Sequence, residues 1–170
     1  AYYEFAKDSQ DYPDSMSYRY DNVITLRTFS KAYGLAGARI GYGFAHESLI
    51  KNLMKVKVPF EPSLVAQAAG IAALDDKEFL AETLSINQEG MAFLEKEFDK
   101  IKIQTVNSNA NFITTVWKSE KYATEITQAL LEKGVIVRQL TAFGWPNCIR
   151  ISIGLMSENE KCIQSLKEIL

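Results

Sequence analysis

The chain has 170 residues, 47% of them hydrophobic, with 19 Lys and Arg against 21 Asp and Glu and a formal net charge of −2. That length and composition suit one or two globular domains with a substantial core. The near-even charge, without a Lys/Arg block, gives no electrostatic case for nucleic acid or an anionic membrane, so a small molecule is the expected partner. From the start, AYYEFA (1–6) carries no helix start signal, and residues 7–21 are polar and turn-rich, predicting a loop. NVITL (22–26) predicts a buried strand, and RIGYGFA (39–45) a second one, its glycines suited to close backbone approach. HESLIKNLMKV (46–56) spaces Leu49, Ile50, Leu53 and Met54 as in a helix. His46, the single histidine, stands where that helix begins and is expected to cap it or face solvent. PFEP (59–62) interrupts, and Pro62 suits the start of a helix running to about Leu74. The apolar run at 63–74 is too short to span a bilayer and contains Gln67.

A longer helix, about Lys77 to Lys100, places Leu80, Leu84, Met91, Leu94 and Phe98 on one stripe. Beyond it, IKIQTV (101–106) and NFITTVW (111–117) read as strands, and KYATEITQALLEKG (121–134) as a helix ending at Gly134. VIVRQL (135–140) and CIRISIG (148–154) read as strands. SENEKCIQSLKEIL (157–170) reads as a closing helix with Ser157 and Glu160 as a capping box. The interleaving predicts an α/β chain in two parts, residues 1–76 and 77–170, joined through the long helix at about 77–100. Cys148 and Cys162 lie 14 residues apart with no CxxC and no nearby histidine, which argues against a metal site and against a disulfide framework. Two buried, reduced thiols in a cytosolic protein are expected.

The chemistry concentrates in TFSKAYGLAGARIGYG (28–43), where Lys31 stands among Gly and Ala with Arg39 as the only other charge. A surface lysine needs no such neighbours, whereas a lysine that must bond to something flat and bulky does. TFSKAYGLAG (28–37) resembles, at every position, the lysine signature of the class II pyridoxal-phosphate aminotransferases. Arg39, eight residues after Lys31, falls where that class keeps a phosphate-binding arginine. Within the class, AYYEF (1–5) followed by RTFSKAYGLAGARIGYG (27–43) is most similar to the histidinol-phosphate aminotransferases, and the similarity runs in order over essentially the whole chain.

The resemblance implies a fold-type-I architecture, with residues 1–76 ending the large cofactor domain and 77–170 forming the small C-terminal α+β domain. It implies pyridoxal 5′-phosphate as cofactor, bonded covalently to Lys31, which then serves as the general base at the substrate. Thr28, Ser30 and Arg39 would hold the cofactor phosphate, the hydroxyls as donors and the guanidinium as a two-pronged charged donor. Tyr2 would give its hydroxyl to the ring oxygen.

Arg138 in GVIVRQL and Arg150 in CIRISIG each interrupt an apolar strand, and a buried arginine needs an anion. An acidic side chain or a bound ligand would meet that need. The resemblance implies the ligand: Arg150 would take the carboxylate of glutamate or the phosphate of histidinol phosphate, with Arg138 assisting the phosphate. The implied activity is transamination between histidinol phosphate and 2-oxoglutarate in histidine biosynthesis, by a cytoplasmic homodimer. An aromatic-amino-acid aminotransferase, a threonine-phosphate decarboxylase and a non-catalytic isolated domain remain alternative readings. Two-domain enzymes of this family run to about twice this length. The resemblance therefore implies the C-terminal part of such an enzyme, inactive alone, without the family's aspartate at the pyridine nitrogen. The loop at 139–147 resembles the family least.

Overall fold

The computed structural model describes residues 1–18 and 20–170. The chain divides into two units, Ala1–Thr83 and Leu84–Leu170, and the division falls within one long helix.

The first unit opens on α1 (Tyr3–Ala6), a single turn in which the Phe5 and Ala6 amides donate to the Tyr2 carbonyl, both at 3.1 Å. The turn-rich segment after it includes one 3₁₀ turn, Ser15–Ser17, capped by Asp14, whose carboxylate accepts from the Met16 amide at 3.0 Å. Strands β1 (Thr25–Thr28) and β2 (Gly41–Phe44) pair antiparallel, from Thr25↔Phe44 to Thr28↔Gly41. The apolar run predicts a buried strand over 22–26, and the structure corrects it. Thr25 and Arg27 are buried, while Leu26 is 68% and Ile24 40% exposed. Pairing with β2 sets which alternate residues turn inward, and that register overrides the apolar character of single residues. Gly41 is required at its place, because a Cβ there would meet the Arg27 carbonyl at 2.7 Å. Helix α2 (Glu47–Val56) starts at His46, whose ring nitrogen accepts from the Ser48 amide at 3.3 Å. Helix α3 (Leu64–Asp75) starts at a Ser63 cap rather than at Pro62, with the Ser63 hydroxyl accepting from the Ala66 amide at 3.2 Å.

Helix α4 (Lys77–Lys100) has the bounds that its periodicity predicts and leads into the second unit. There follow β3 (Gln104–Val106), β4 (Phe112–Val116), α5 (Glu120–Glu132), β5 (Arg138–Leu140), β6 (Trp145–Ser152) and α6 (Met156–Ile169). The strands form one sheet in the order β3-β4-β6-β5, each neighbour antiparallel. Leu94 and Phe98 of α4, Ile113, Trp117, Leu130, Ile149, Ile163 and Leu166 belong to one buried cluster. Gly90 lies where α4 passes the loop after β6, and a Cβ there would meet Ile153 at 2.5 Å. Helix α6 begins earlier than SENEK suggests. Ser157 lies inside its first turn, and the Glu158 carboxylate, not that of Glu160, reaches back to the Leu155 amide at 2.8 Å. Cys148 and Cys162 are buried free thiols, and burial pushes the Cys162 thiol up to about 11. Among the described residues, no helix is long and apolar enough to cross a membrane.

Glu97 makes this unit sensitive to acid. It is buried on α4, and its carboxylate accepts from Lys100 and, at 2.7 Å, from Lys167 of α6. The Lys100 hydrogen bond first, and that of Lys167 second, lower its pKa from the ordinary 4.5 to about 2. A carboxyl depressed by folding stabilises fully above its unfolded pKa and loses that contribution as pH falls through the folded value. Stability is therefore expected to decline as pH drops from about 4.5 to about 2. Glu97→Gln should flatten that decline, as read by urea midpoints at a series of pH values. An unchanged acid slope in the variant would assign the protonation to another carboxyl.

Candidate active site

In the first unit, β1 delivers Thr28 to a turn that the backbone locks on both sides. The Phe29 amide donates to the Ile40 carbonyl at 3.3 Å, the Leu35 amide to that of Phe29 at 2.9 Å, and the Gly34 amide to that of Lys31 at 2.9 Å. Phe29 and Ala32 are buried, so the residues between them, Ser30 and Lys31, are carried at the rim of the turn. Thr28 Oγ1 accepts from the Ser30 amide at 3.1 Å, which leaves the Thr28 hydroxyl proton available to a ligand. Lys31 is exposed, with Nζ 5.5 Å from the centroid of the Tyr2 ring. Among the described residues, no carboxylate pairs with that amine.

Arg39 adopts φ 54°, the left-handed region that few non-glycine residues occupy and where strain gathers at functional sites. Its Nη1 donates to the Ala36 carbonyl at 2.7 Å. A Cβ at Gly37 would meet nothing within 4 Å, so the small-residue stretch leaves open space at Gly37. Arg39 lines a cleft of about 630 Å³ with Gly37, Gly41, Lys57 and Ser63, and Lys31 is not among the residues lining that cleft.

In the second unit, Arg138 of β5 and Arg150 of β6 are register partners. Arg138 is exposed, which corrects the expectation that both arginines are buried; it lies at the end of an edge strand shorter than VIVRQL predicts. Arg150 is half-buried, and its Nε is a buried donor with no hydrogen-bond partner. The Arg150 guanidinium lies 5.1 Å from the Phe112 ring centroid, and that of Arg138 lies 5.5 Å from that of Phe143. Among the described residues neither arginine is in an ion pair. Like charges directly opposite on a sheet repel, so an anion between the two would relieve both the repulsion and the unmet donor.

One residue escapes the sequence reading. Arg27 stands immediately before Thr28, and the signal was a cation inside a short strand flanked by the lysine signature. Its side chain is 7% exposed and pairs with Asp14 at 2.9 Å. The guanidinium lies 3.9 Å from the centroid of the Tyr3 ring.

The family described as Aminotransferase class I and II matches residues 1–166. Histidinol-phosphate aminotransferase 2 of Carboxydothermus hydrogenoformans is 42% identical over 100% of this chain and 47% of its own length. Histidinol-phosphate aminotransferase of Bacillus subtilis (strain 168) is 43% identical, again over 100% of this chain and 47% of its own. The chain thus spans about half the length of the curated relatives it matches. Among solved structures, histidinol-phosphate aminotransferase from Sinorhizobium meliloti in complex with pyridoxal-5′-phosphate aligns with a TM-score of 0.79 at 29% identity, covering 88% of this chain and 42% of that one. The fold is shared with histidinol-phosphate aminotransferase from Clostridium acetobutylicum, with a TM-score of 0.88 at 22% identity over 99% of this chain and 52% of that one. With the match running through both units and the lysine signature intact, the chain belongs to the class I and II aminotransferase family.

Proposed function

We propose that the chain is the C-terminal part of a pyridoxal-phosphate-dependent aminotransferase acting between histidinol phosphate and 2-oxoglutarate, a cytoplasmic homodimer of histidine biosynthesis. In this reading residues 1–76 end the large cofactor domain and 77–170 form the small domain. The observation that carries it is the exposed, unpaired amine of Lys31, over an aromatic ring and within a stretch of small residues that keeps Arg39 eight positions on.

The residues present fit the cofactor. Residues 28–39 offer the donor types the group needs, a primary amine, two hydroxyls and a guanidinium, and the space at Gly37 is open. Bound pyridoxal phosphate would supply the electron sink and carry the amino group between donor and acceptor. Lys31 would hold it covalently and, once free, take the proton from the substrate Cα. Thr28, Ser30 and Arg39 would fix the phosphate, Arg39 by exchanging its bond to the Ala36 carbonyl for phosphate oxygens. Tyr2 would place its hydroxyl at the ring oxygen and its ring beside the Lys31 amine. In the second unit, Arg150 would bind the anion shared by the two substrates, and Arg138 the second charge of a phosphate.

The test is covalent. The full-length protein, freed of cofactor, is incubated with substoichiometric pyridoxal phosphate and reduced with borohydride, and the label is mapped by peptide mass spectrometry. Most of it should sit on Lys31, and Lys31→Ala should remove it without transfer to neighbouring lysines. Arg39→Lys, which replaces a fork with a point charge, should lower the yield about three- to tenfold. Label spread evenly over the lysines would overturn the reading. The substrate is tested on the full-length protein with a panel of amino donors and 2-oxoglutarate. Fast turnover of phenylalanine without turnover of histidinol phosphate would replace the proposed substrate by an aromatic amino acid.

A further inference from the structure

We infer that Arg27 is a positioning residue that holds Tyr2 over Lys31, an inference that rests on the reading of Lys31 as the cofactor lysine. Helix α1 has four residues, and its N-cap, Tyr2, makes no side-chain cap hydrogen bond. A helix of that length does not persist in water by itself, so tertiary contacts must set its position. One of them comes from Arg27 of β1. The Arg27 guanidinium stacks on Tyr3 at 3.9 Å and donates from Nη2 to Asp14 at 2.9 Å, with the side chain 7% exposed. Desolvation strengthens both contacts.

One buried cation thereby ties together three pieces of chain. It belongs to β1, it grips α1 through Tyr3, and it grips the Ser15–Ser17 turn through the residue that caps it. Tyr3 and Tyr2 are consecutive at the start of α1, the first against Arg27 and the second 5.5 Å from Lys31 Nζ. A shift of α1 on Arg27 must carry Tyr2 with it. Arg27 also directly precedes Thr28, so the same strand that anchors the clamp delivers the hydroxyl assigned to the phosphate. The turn packs further through Glu4, which is 6% exposed. After burial itself, its carboxylate is the next cause that raises the Tyr33 and Tyr42 hydroxyls, and Tyr42 is the register partner of Arg27. Arginine suits this place because a planar guanidinium stacks and donates in its plane at once. A lysine ammonium, as a point charge, serves one partner well and the other poorly.

The experiment is nuclear magnetic resonance on the cofactor-free full-length protein together with the borohydride labelling. The wild type should show an NOE between the Tyr2 ring and the Lys31 ε-methylene. Arg27→Met should abolish it and speed exchange of the Phe5, Ala6 and Lys7 amides at least about tenfold. The Lys31 share of the label should fall about threefold or more in Arg27→Met, with Arg27→Lys and Asp14→Asn intermediate. Unaltered protection across Phe112–Val116 shows that the variants are folded. Survival of the NOE and of α1 protection in Arg27→Met overturns the inference. So does loss of both with the Lys31 label share intact. A wild type without preference for Lys31 would instead overturn the proposed cofactor site, and the NOE and exchange results would still decide whether Arg27 holds Tyr2.

Discussion

Arg150→Ala in the full-length protein is expected to depress the half-reactions with glutamate and with histidinol phosphate together. In the proposed function both substrates occupy one site in turn and both present an anion, so one arginine would serve both. Removing one partner of a buried, hydrogen-bonded charge pair costs about 2–5 kcal/mol, or roughly thirtyfold to several-thousandfold in kcat/KM. With the proposed substrate anion bound, Arg150, half-buried and with a buried Nε that has no partner in the structure, would join that class. Arg138 is exposed, so its contribution is screened, and Arg138→Ala should cost about tenfold or less. That loss should fall on histidinol phosphate more than on glutamate, because a dianion can use a second cation. Cofactor absorbance should stay normal in both variants, since neither residue is assigned to pyridoxal phosphate. Were Arg150→Ala to leave both half-reactions intact and lower only Tm, the arginine would be a structural residue and the substrate-anion assignment would fall.

The parts of this protein that its sequence makes legible are those decided locally. Helix α4 keeps an apolar stripe for many turns, and the structure returns the predicted bounds, Lys77–Lys100. Lys31 stands out because the covalent role proposed for it demands one residue type and small neighbours, both written in a contiguous stretch. What eluded the reading is set by partners distant in sequence. The inward face of β1 is chosen by pairing with β2, which buries Thr25 and Arg27 and exposes Leu26. Helix α1 is one turn that meets Arg27 of β1 through Tyr3, and no start signal in AYYEFA announces it. Arg138 looks buried among Val135, Ile136 and Val137, yet the strand begins only at Arg138 and leaves it exposed. The cap of α6 shifted because Leu155, with no side-chain acceptor, still offers an amide that Glu158 can reach.

The second large effect is expected at Phe98. Its side chain is fully buried near the end of α4, in the cluster that includes Leu94, Ile113, Trp117 and Leu166. Truncating a buried phenylalanine to alanine loses its transfer energy and leaves a cavity, at a cost of about 3–5 kcal/mol. Domains of ordinary stability hold about 5–15 kcal/mol in all, so Phe98→Ala should remove a large part of it. Urea unfolding followed by tryptophan fluorescence can read this, because Trp117 is 7% exposed in the same cluster and its indole donates to Thr115 at 2.9 Å. Phe98→Leu removes less of the side chain and should cost less than Phe98→Ala. Phe60, 96% exposed, supplies the control, and Phe60→Ala should stay within about 0.5 kcal/mol of the parent. The consequence reaches Arg150, the arginine proposed to bind substrate. Ile149 and Ile151 belong to the Phe98 cluster, and Arg150 between them points to the opposite face of β6. The core therefore fixes the strand that aims Arg150, and Phe98→Leu should weaken histidinol phosphate turnover at temperatures where the parent still holds its full rate. If Phe98→Ala moved the urea midpoint no further than Phe60→Ala, the last turns of α4 would not be the floor on which that strand rests.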